Sequence, residues 1–357
     1  SIYLNPIVES PENHRYSTSD YFNVDPYFGT NEQFENFCKD FKNNNIKIIL
    51  DGVFSHTGSD SIYFNRYGRY PGIGAYQSKE SAYYPWFNFI DYPNTYASWW
   101  GFDNLPELIK ENEDYTNYVC SQEDGVLKFW QDLGAGGWRL DVADELPDVF
   151  IDRLRESIKA TDPEALIIGE VWEDATNKFS YGGRRRYLLG QQLDSVMNYP
   201  WRTAIIDLLK GQDTKLFKNR IIDLISNYPQ PALDTLMNLL STHDTARITT
   251  CLALDVDSFK HEDKLGYSLP EGLYEKALEL EKIASFIQFT LPGVPSLYYG
   301  DENGMEGLSD PYNRCCFIEE DRNQDIYDHY KALTTFRSKY KDSFKTGFEF
   351  GFARENL

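Results

Sequence analysis

Asp141, Glu170 and Asp244 each close a short apolar run of β type. The runs are Gly137-Trp138-Arg139-Leu140, Leu166-Ile167-Ile168-Gly169 and Leu239-Leu240-Ser241-Thr242-His243. If they form neighbouring parallel strands of one barrel, all three acids project from its C-terminal rim, where barrel enzymes carry their chemistry. Two acids with separated pKa values, plus a third that stays charged, suit the cleavage of a glycosidic bond. The retaining form of that reaction needs a carboxylate nucleophile and a carboxylic acid roughly 5–5.5 Å apart. Arg139 stands two residues before Asp141, so on a strand both point the same way, and a guanidinium there is expected to keep Asp141 ionised. Glu170 follows a strongly apolar strand with Trp172 close by. Partial desolvation would raise its pKa, as an acid that later acts as base requires. Asp244, between His243 and Arg247, is expected to stay charged and to bind sugar hydroxyls. Taken singly each motif has an ordinary structural reading: a strand ion pair, a loop carboxylate, a helix cap. Their order, each after an apolar strand, carries the argument.

The elements that must position these groups alternate along the chain. Thr30-Asn31-Glu32-Gln33 reads as a capping box opening an amphipathic helix through Phe34, Phe37 and Phe41. A strand follows at 46–51, a helix at 126–133 ending at Gly134, a strand at 138–142, a helix at 147–160 and a strand at 166–171. Further strands are expected at 192–197, 237–240 and 296–299, with helices at 273–291 and 326–340. Strand-then-helix repetition implies parallel β/α units, and so many such strands suggest a barrel rather than a small open sheet. Between Ser55 and Lys110 the sequence is loop-rich and crowded with Tyr, Trp, Pro and Gly. A connection that long inside a compact domain is usually functional.

With 357 residues the chain can bury a large core. The net charge of −21 argues against nucleic acid or an anionic membrane as partner. Aromatic residues make up 16% of the chain, and rings not needed in the core can lie against pyranose C–H faces. No apolar run approaches the roughly 20 residues that span a bilayer. The five cysteines are odd in number, include the adjacent Cys315 and Cys316, and show no zinc spacing, which favours reduced thiols in the cytoplasm. The first residue is Ser1 rather than Met, so secretion with a removed leader stays open.

The motifs match a known pattern. Asp51-Gly52-Val53-Phe54-Ser55-His56, Gly137 to Glu145, Gly169-Glu170-Val171-Trp172 and Ser241-Thr242-His243-Asp244 resemble the four conserved regions of the α-amylase superfamily, glycoside hydrolase family 13. Gly293 to Glu302 resembles a further block. Leu105-Pro106-Glu107-Leu108 and Ala143-Asp144-Glu145 are similar to the neopullulanase and cyclomaltodextrinase branch. The resemblance implies Asp141 as nucleophile, Glu170 as acid/base and Asp244 as transition-state stabiliser. It implies substrate contacts from His14, Tyr16, His56, Arg139, Trp172, His243, Asp310 and Arg314.

By the same resemblance the fold is a TIM-type (β/α)8 barrel. Residues 1–54 and 111–342 would form the barrel, lacking its first β/α unit. Residues 55–110 would be an inserted subdomain after the third strand, and 343–357 the start of a C-terminal β-sandwich, with Thr346 to Phe352 alternating like a strand. The implied function is a retaining α-glucan hydrolase cleaving α-1,4 links, with α-1,6 links as a further option, in dextrins, pullulan or cyclodextrins. Alternatives are an oligo-α-glucosidase, a trehalose-type isomerase, or a non-catalytic sugar-binding barrel. No cofactor is expected to be required. Calcium is not expected at the family's interdomain site, because Ser55 stands where the family carries Asn, although another calcium position stays open. The expected partner is an α-glucan, with no nucleic acid and no membrane, and a homodimer remains open.

Overall fold

The computed structural model describes residues 1–260, 264–345 and 347–350. The chain divides into two compact units, the first built from Ser1–Val171 and Ala175–Ser195, the second from Trp172–Asp174 and the chain from Val196 onward.

The first unit is organised by parallel strands β1 (Ile2–Tyr3), β2 (Ile48–Gly52), β3 (Gly137–Leu140) and β4 (Leu166–Gly169), in that spatial order. The next place in the sheet is taken by β5, Ser195–Val196, at which the first unit ends. Leu50, Trp138 and Ile167 are buried, as expected of parallel strands covered on both faces. The helix Asn31–Asn43 starts as expected: the Thr30 hydroxyl accepts from Gln33 N, and the Gln33 side chain accepts from Thr30 N. Its Cys38 packs where Gly134 ends the helix Val126–Asp132. Gly134 has φ 109°, and a Cβ there would lie 2.7 Å from the Cys38 Cβ, so the turn requires glycine.

Within the segment 55–110, expected as an insertion, aromatic rings pack on one another and on Tyr118 of the helix Glu113–Cys120. Phe64 contacts Phe87, Phe89 and Tyr96, while Trp86 contacts Tyr63, Tyr83 and Tyr118. Backbone bridges His56↔Glu107 and Ser98↔Pro106 return the segment to where it left the sheet.

The second unit pairs β6 (Met237–Leu239) in parallel with β7 (Val294–Ser296), and Met197 bridges Met237 in the same sense. Asn238 is tied on both sides: its Nδ2 donates to Pro292 O at 2.6 Å, and its Oδ1 accepts from Asn198 at 2.8 Å. The helices Glu271–Thr290 and Gln324–Lys339 pack through Leu278, Phe289, Ile326, Tyr330 and Leu333.

Two sequence expectations shift. The strand expected at 296–299 runs from Val294 to Ser296, because Val294 N bonds to Leu236 O immediately after the turn at Gly293. In the strand expected over 346–352, residues 346, 351 and 352 lie outside the described residues. Residues 347–350 take no regular element, and no strand is paired with them among the described residues.

Candidate active site

In the first unit the register of the sheet assembles the site. Asp51 on β2 lies opposite Arg139 on β3, and Leu140 lies opposite Gly169 on β4. Asp141 and Glu170 are the next residues on adjacent strands, which run about 4.8 Å apart. Alternation puts Arg139 and Asp141 on one face, and Ile168 and Glu170 together on the neighbouring strand. Arg139, only 1% exposed, then serves three carboxylates. One terminal nitrogen donates to Asp51 Oδ1 and Asp141 Oδ1, both at 2.8 Å, and the other lies 2.9 Å from Glu170 Oε2. Glu170 Oε2 also accepts from Val142 N at 2.8 Å. That N–H is aimed by an unusual backbone: Val142 has φ 39° and ψ 55°, left-handed values that a β-branched residue adopts only under constraint.

Behind this pair, Asp51 Oδ2 accepts from Tyr3 at 2.6 Å and from Tyr16 at 2.8 Å. Sequence reasoning missed Tyr3 and gave Asp51 no place in the site. The signal for Asp51 was its position at the end of an apolar strand inside a quoted motif; Tyr3 had none.

Burial pushes the Asp141 carboxyl well above the usual carboxylate range. Arg139 opposes this, while the charges of Glu170 and Asp51 add to it. Asp51 is raised too, again by burial first, against Arg139 and its hydroxyl donors. Arg139 thus acts on Asp141 in the expected sense, favouring the charged form, but burial and the two other acids work against it. One guanidinium faces three acids in a desolvated cluster, and such a cluster favours a bound proton.

His14, Tyr16 and His56 also meet in this unit. His14 Nδ1 accepts from Tyr16 N at 3.0 Å, and its Nε2 lies 3.1 Å from Glu12 Oε2. His56 is buried, with Nε2 3.1 Å from Tyr16 O and Nδ1 2.8 Å from Ser55 Oγ. A carbonyl can only accept, so Nε2 carries the hydrogen and Ser55 donates to Nδ1. Burial pushes the His56 pKa down to about 3, so the ring is neutral. The Ser55 hydroxyl, committed to His56 and fully buried, does not suit a hard cation. Among the described residues no group of three or more His, Cys, Asp or Glu is arranged to hold a metal.

The second unit carries the remaining expected residues. Asp244 Oδ2 lies 3.1 Å from His243 Nε2, and its N–H donates to Thr242 Oγ1 at 3.1 Å. Arg314 reaches Asp244 Oδ1 at 3.8 Å and Asp310 Oδ2 at 3.7 Å, and donates to His243 O at 2.9 Å. Asn313, missed in the sequence and wholly buried, donates from Nδ2 to Thr242 O, His243 O and Thr245 O at 3.0, 2.8 and 2.7 Å. The cation beside Asp244 is thus Arg314. Arg247, its neighbour in sequence, turns instead to Asn313 O at 3.0 Å, Tyr299 O at 2.7 Å and Asp301 at 3.3 Å. Trp172 stacks on Tyr199, with ring centres 3.8 Å apart and planes 10° from parallel, and remains 45% exposed.

The chain is 38% identical over 377 aligned residues to an amylopullulanase of Thermoanaerobacterium thermosulfurigenes, covering 97% of this chain and 19% of that protein. It is 33% identical over 354 residues to a cyclomaltodextrinase of Thermoanaerobacter pseudethanolicus, covering 96% and 54%. The chain thus spans about a fifth to about half of these relatives' lengths. Among solved structures, the type III pullulan hydrolase from Thermococcus kodakarensis matches with a TM-score of 0.83 and 27% identity, over 99% of this chain and 58% of that one. The parallel strand–helix order is that of a TIM-type (β/α)8 fold, as expected. The model of the alpha-amylase catalytic domain matches residues 1–351, and the chain belongs to that family.

Proposed function

We propose that this chain is the catalytic part of a retaining α-glucan hydrolase, acting on α-1,4 and also α-1,6 glucosidic bonds of dextrins, pullulan or cyclodextrins. One observation carries the reading: Asp141 and Glu170 end adjacent strands and are gripped by the two prongs of one guanidinium. That keeps them nearer the short separation of retaining enzymes than the water-wide gap of inverting ones.

In the reactive form the cluster's proton lies on Glu170, and Asp141, charged beside Arg139, attacks the anomeric carbon while Glu170 passes that proton to the departing glycosidic oxygen. The C–O bond to the leaving chain breaks as the glucosyl ester on Asp141 forms. A water, deprotonated by Glu170, then displaces Asp141 and frees the sugar with retained configuration. A sugar hydroxyl in place of water gives transglycosylation. In this reading Asp244 stabilises the charged transition state, His14, Tyr16, His56 and His243 shape or contact the ring being cleaved, Asp310 and Arg314 hold the adjacent glucose, and Trp172 offers a stacking face. The domain division into 1–54 with 111–342, 55–110 and 343–357 belongs to the same reading, as do the absence of a required cofactor and the choice of α-glucan over nucleic acid or membrane.

No helix among the described residues is long and apolar enough to cross a membrane. Each of the five cysteines is free, which supports the cytoplasm as the location. The experiment is Asp141→Asn in the complete protein, assayed on maltodextrin, pullulan and cyclodextrin, with a fluorinated glucosyl inhibitor to trap the ester on the unaltered enzyme. Wild-type turnover in the variant, or label on a peptide lacking Asp141, sinks the mechanism. Size-exclusion chromatography with light scattering decides the homodimer.

A further inference from the structure

Two aromatic side chains unused by the mechanism above are held at a cost. Trp100 is 79% exposed with φ 50° and ψ 24°, and Tyr181 is 58% exposed with φ 51°. A bulky L-residue in the left-handed region costs roughly 1–2 kcal/mol, and burial of rings this exposed offsets only part of it. Both are secured by one residue. Trp100 Nε1 donates to Glu145 Oε1 at 2.8 Å, and the Tyr181 hydroxyl donates to Glu145 O at 2.7 Å.

Glu145 ends the turn Ala143–Glu145, which starts two residues after Asp141, and its N–H bonds back to Val142 O at 2.8 Å. The anchor of both rings is therefore one turn from the attacking carboxylate. The supports are themselves fixed. Trp99 lies between Trp100 and the buried His56, with ring centres 5.8 and 5.5 Å away. The Arg185 guanidinium sits 5.5 Å from the Tyr181 ring centre and donates to Ser180 Oγ at 2.7 Å. Flat apolar faces beside a carboxylate match a pyranose, which offers an apolar C–H face and equatorial hydroxyls.

We propose that Trp100 and Tyr181, fixed around Glu145, form an additional binding subsite for a glucose ring of the substrate chain beyond the bond being cleaved. This rests on the α-glucan reading above. The strained backbones present the rings, and the Glu145 carboxylate, which Trp100 Nε1 engages through Oε1, accepts from a sugar hydroxyl.

The test is calorimetric binding of maltose and maltoheptaose to the Asp141→Asn protein, alone and with Trp100→Ala or Tyr181→Ala, folding being checked by thermal denaturation. Each ring removal is expected to weaken maltoheptaose about tenfold, the size of one good aromatic contact, and to leave maltose unchanged. Trp100→Phe, which keeps a ring, should lose less. If an alanine variant does not fold, quenching of tryptophan fluorescence by maltoheptaose in Asp141→Asn, reduced in Trp100→Phe by the share that Trp100 contributes, replaces it; quenching of equal amplitude with and without Trp100 overturns the subsite. Unchanged maltoheptaose affinity in both folded alanine variants overturns the subsite, as does equal weakening of both sugars. Failure of the hydrolase reading is separate: it shows as turnover surviving in Asp141→Asn, whatever the binding data give.

Discussion

Asn313→Ala isolates the support of Asp244 from its chemistry. The wild-type amide offers two hydrogens to three carbonyls, those of Thr242, His243 and Thr245, in a wholly buried position. His243 O keeps a second donor in Arg314, so its loss is small. Among the described residues Thr242 O then retains only the long 3.3 Å contact from Thr245 N, and Thr245 O has no other donor. A buried acceptor left without a partner costs about 1–3 kcal/mol, so two such carbonyls give a destabilisation of roughly 2–4 kcal/mol. Urea unfolding, with fluorescence as the signal, measures that directly. The segment also carries Asp244, and a shift of about 1 Å in a catalytic group lowers turnover by about a hundredfold. The fall should appear in kcat with KM nearly unchanged, because Arg314 still reaches Asp310. The reasoning is refuted if Asn313→Ala unfolds within about 0.5 kcal/mol of wild type, or if it is destabilised as expected while kcat stays the same.

Glu281 is pushed up to about 8, by burial first and then by the charge of Asp301, against donors in Thr249 and Tyr330. Its folded pKa lies above its ordinary value of 4.5, so the native state holds a proton that the unfolded chain has lost, and stability falls as pH rises from about 4.5 to 8. Glu281→Gln should flatten that slope and gain stability over wild type at pH 8. Equal slopes in denaturant titrations at pH 5 and pH 8 would count against it. Arg139→Lys keeps one positive charge but loses the planar fork that meets Asp51, Asp141 and Glu170 together, and turnover should fall by about a hundredfold or more. Activity within threefold of wild type would contradict the geometry. Extended dialysis against a strong chelator should leave Tm and turnover unchanged, since Ser55 is committed to His56; a fall restored by calcium would show a required ion.

What the sequence revealed follows from how local each cause is. The capping box at Thr30 and Gln33, the stop at Gly134 and the apolar runs ending in Asp141 and Glu170 are set by near neighbours, and they were readable. The helices Tyr199–Leu209 and Thr214–Asn227 were not anticipated, although Asn198 and Asp213 cap them and Ile205, Ile206, Leu208 and Leu209 keep helical spacing. The pairing of Arg139 with Asp141 was readable from strand alternation. The direction of the Asp141 shift was not, since it depends on Asp51 and Glu170, which register and not sequence brings close. The same limit produced the mistaken partner of Asp244. Arg247 precedes the helix Ile248–Ala253 and is drawn to Asp301, while Arg314 arrives from a distant stretch of chain.

A planar cation with two prongs is also a ruler. In the mechanism proposed above, Arg139 spaces the acids from behind, so the configuration left at the sugar's anomeric carbon would be set by a side chain that never bonds to it. A route from that mechanism to an inverting one would first have to dismantle the gauge, and the positive charge that opposes protonation of Asp141 and Asp51 would be lost in the same substitution.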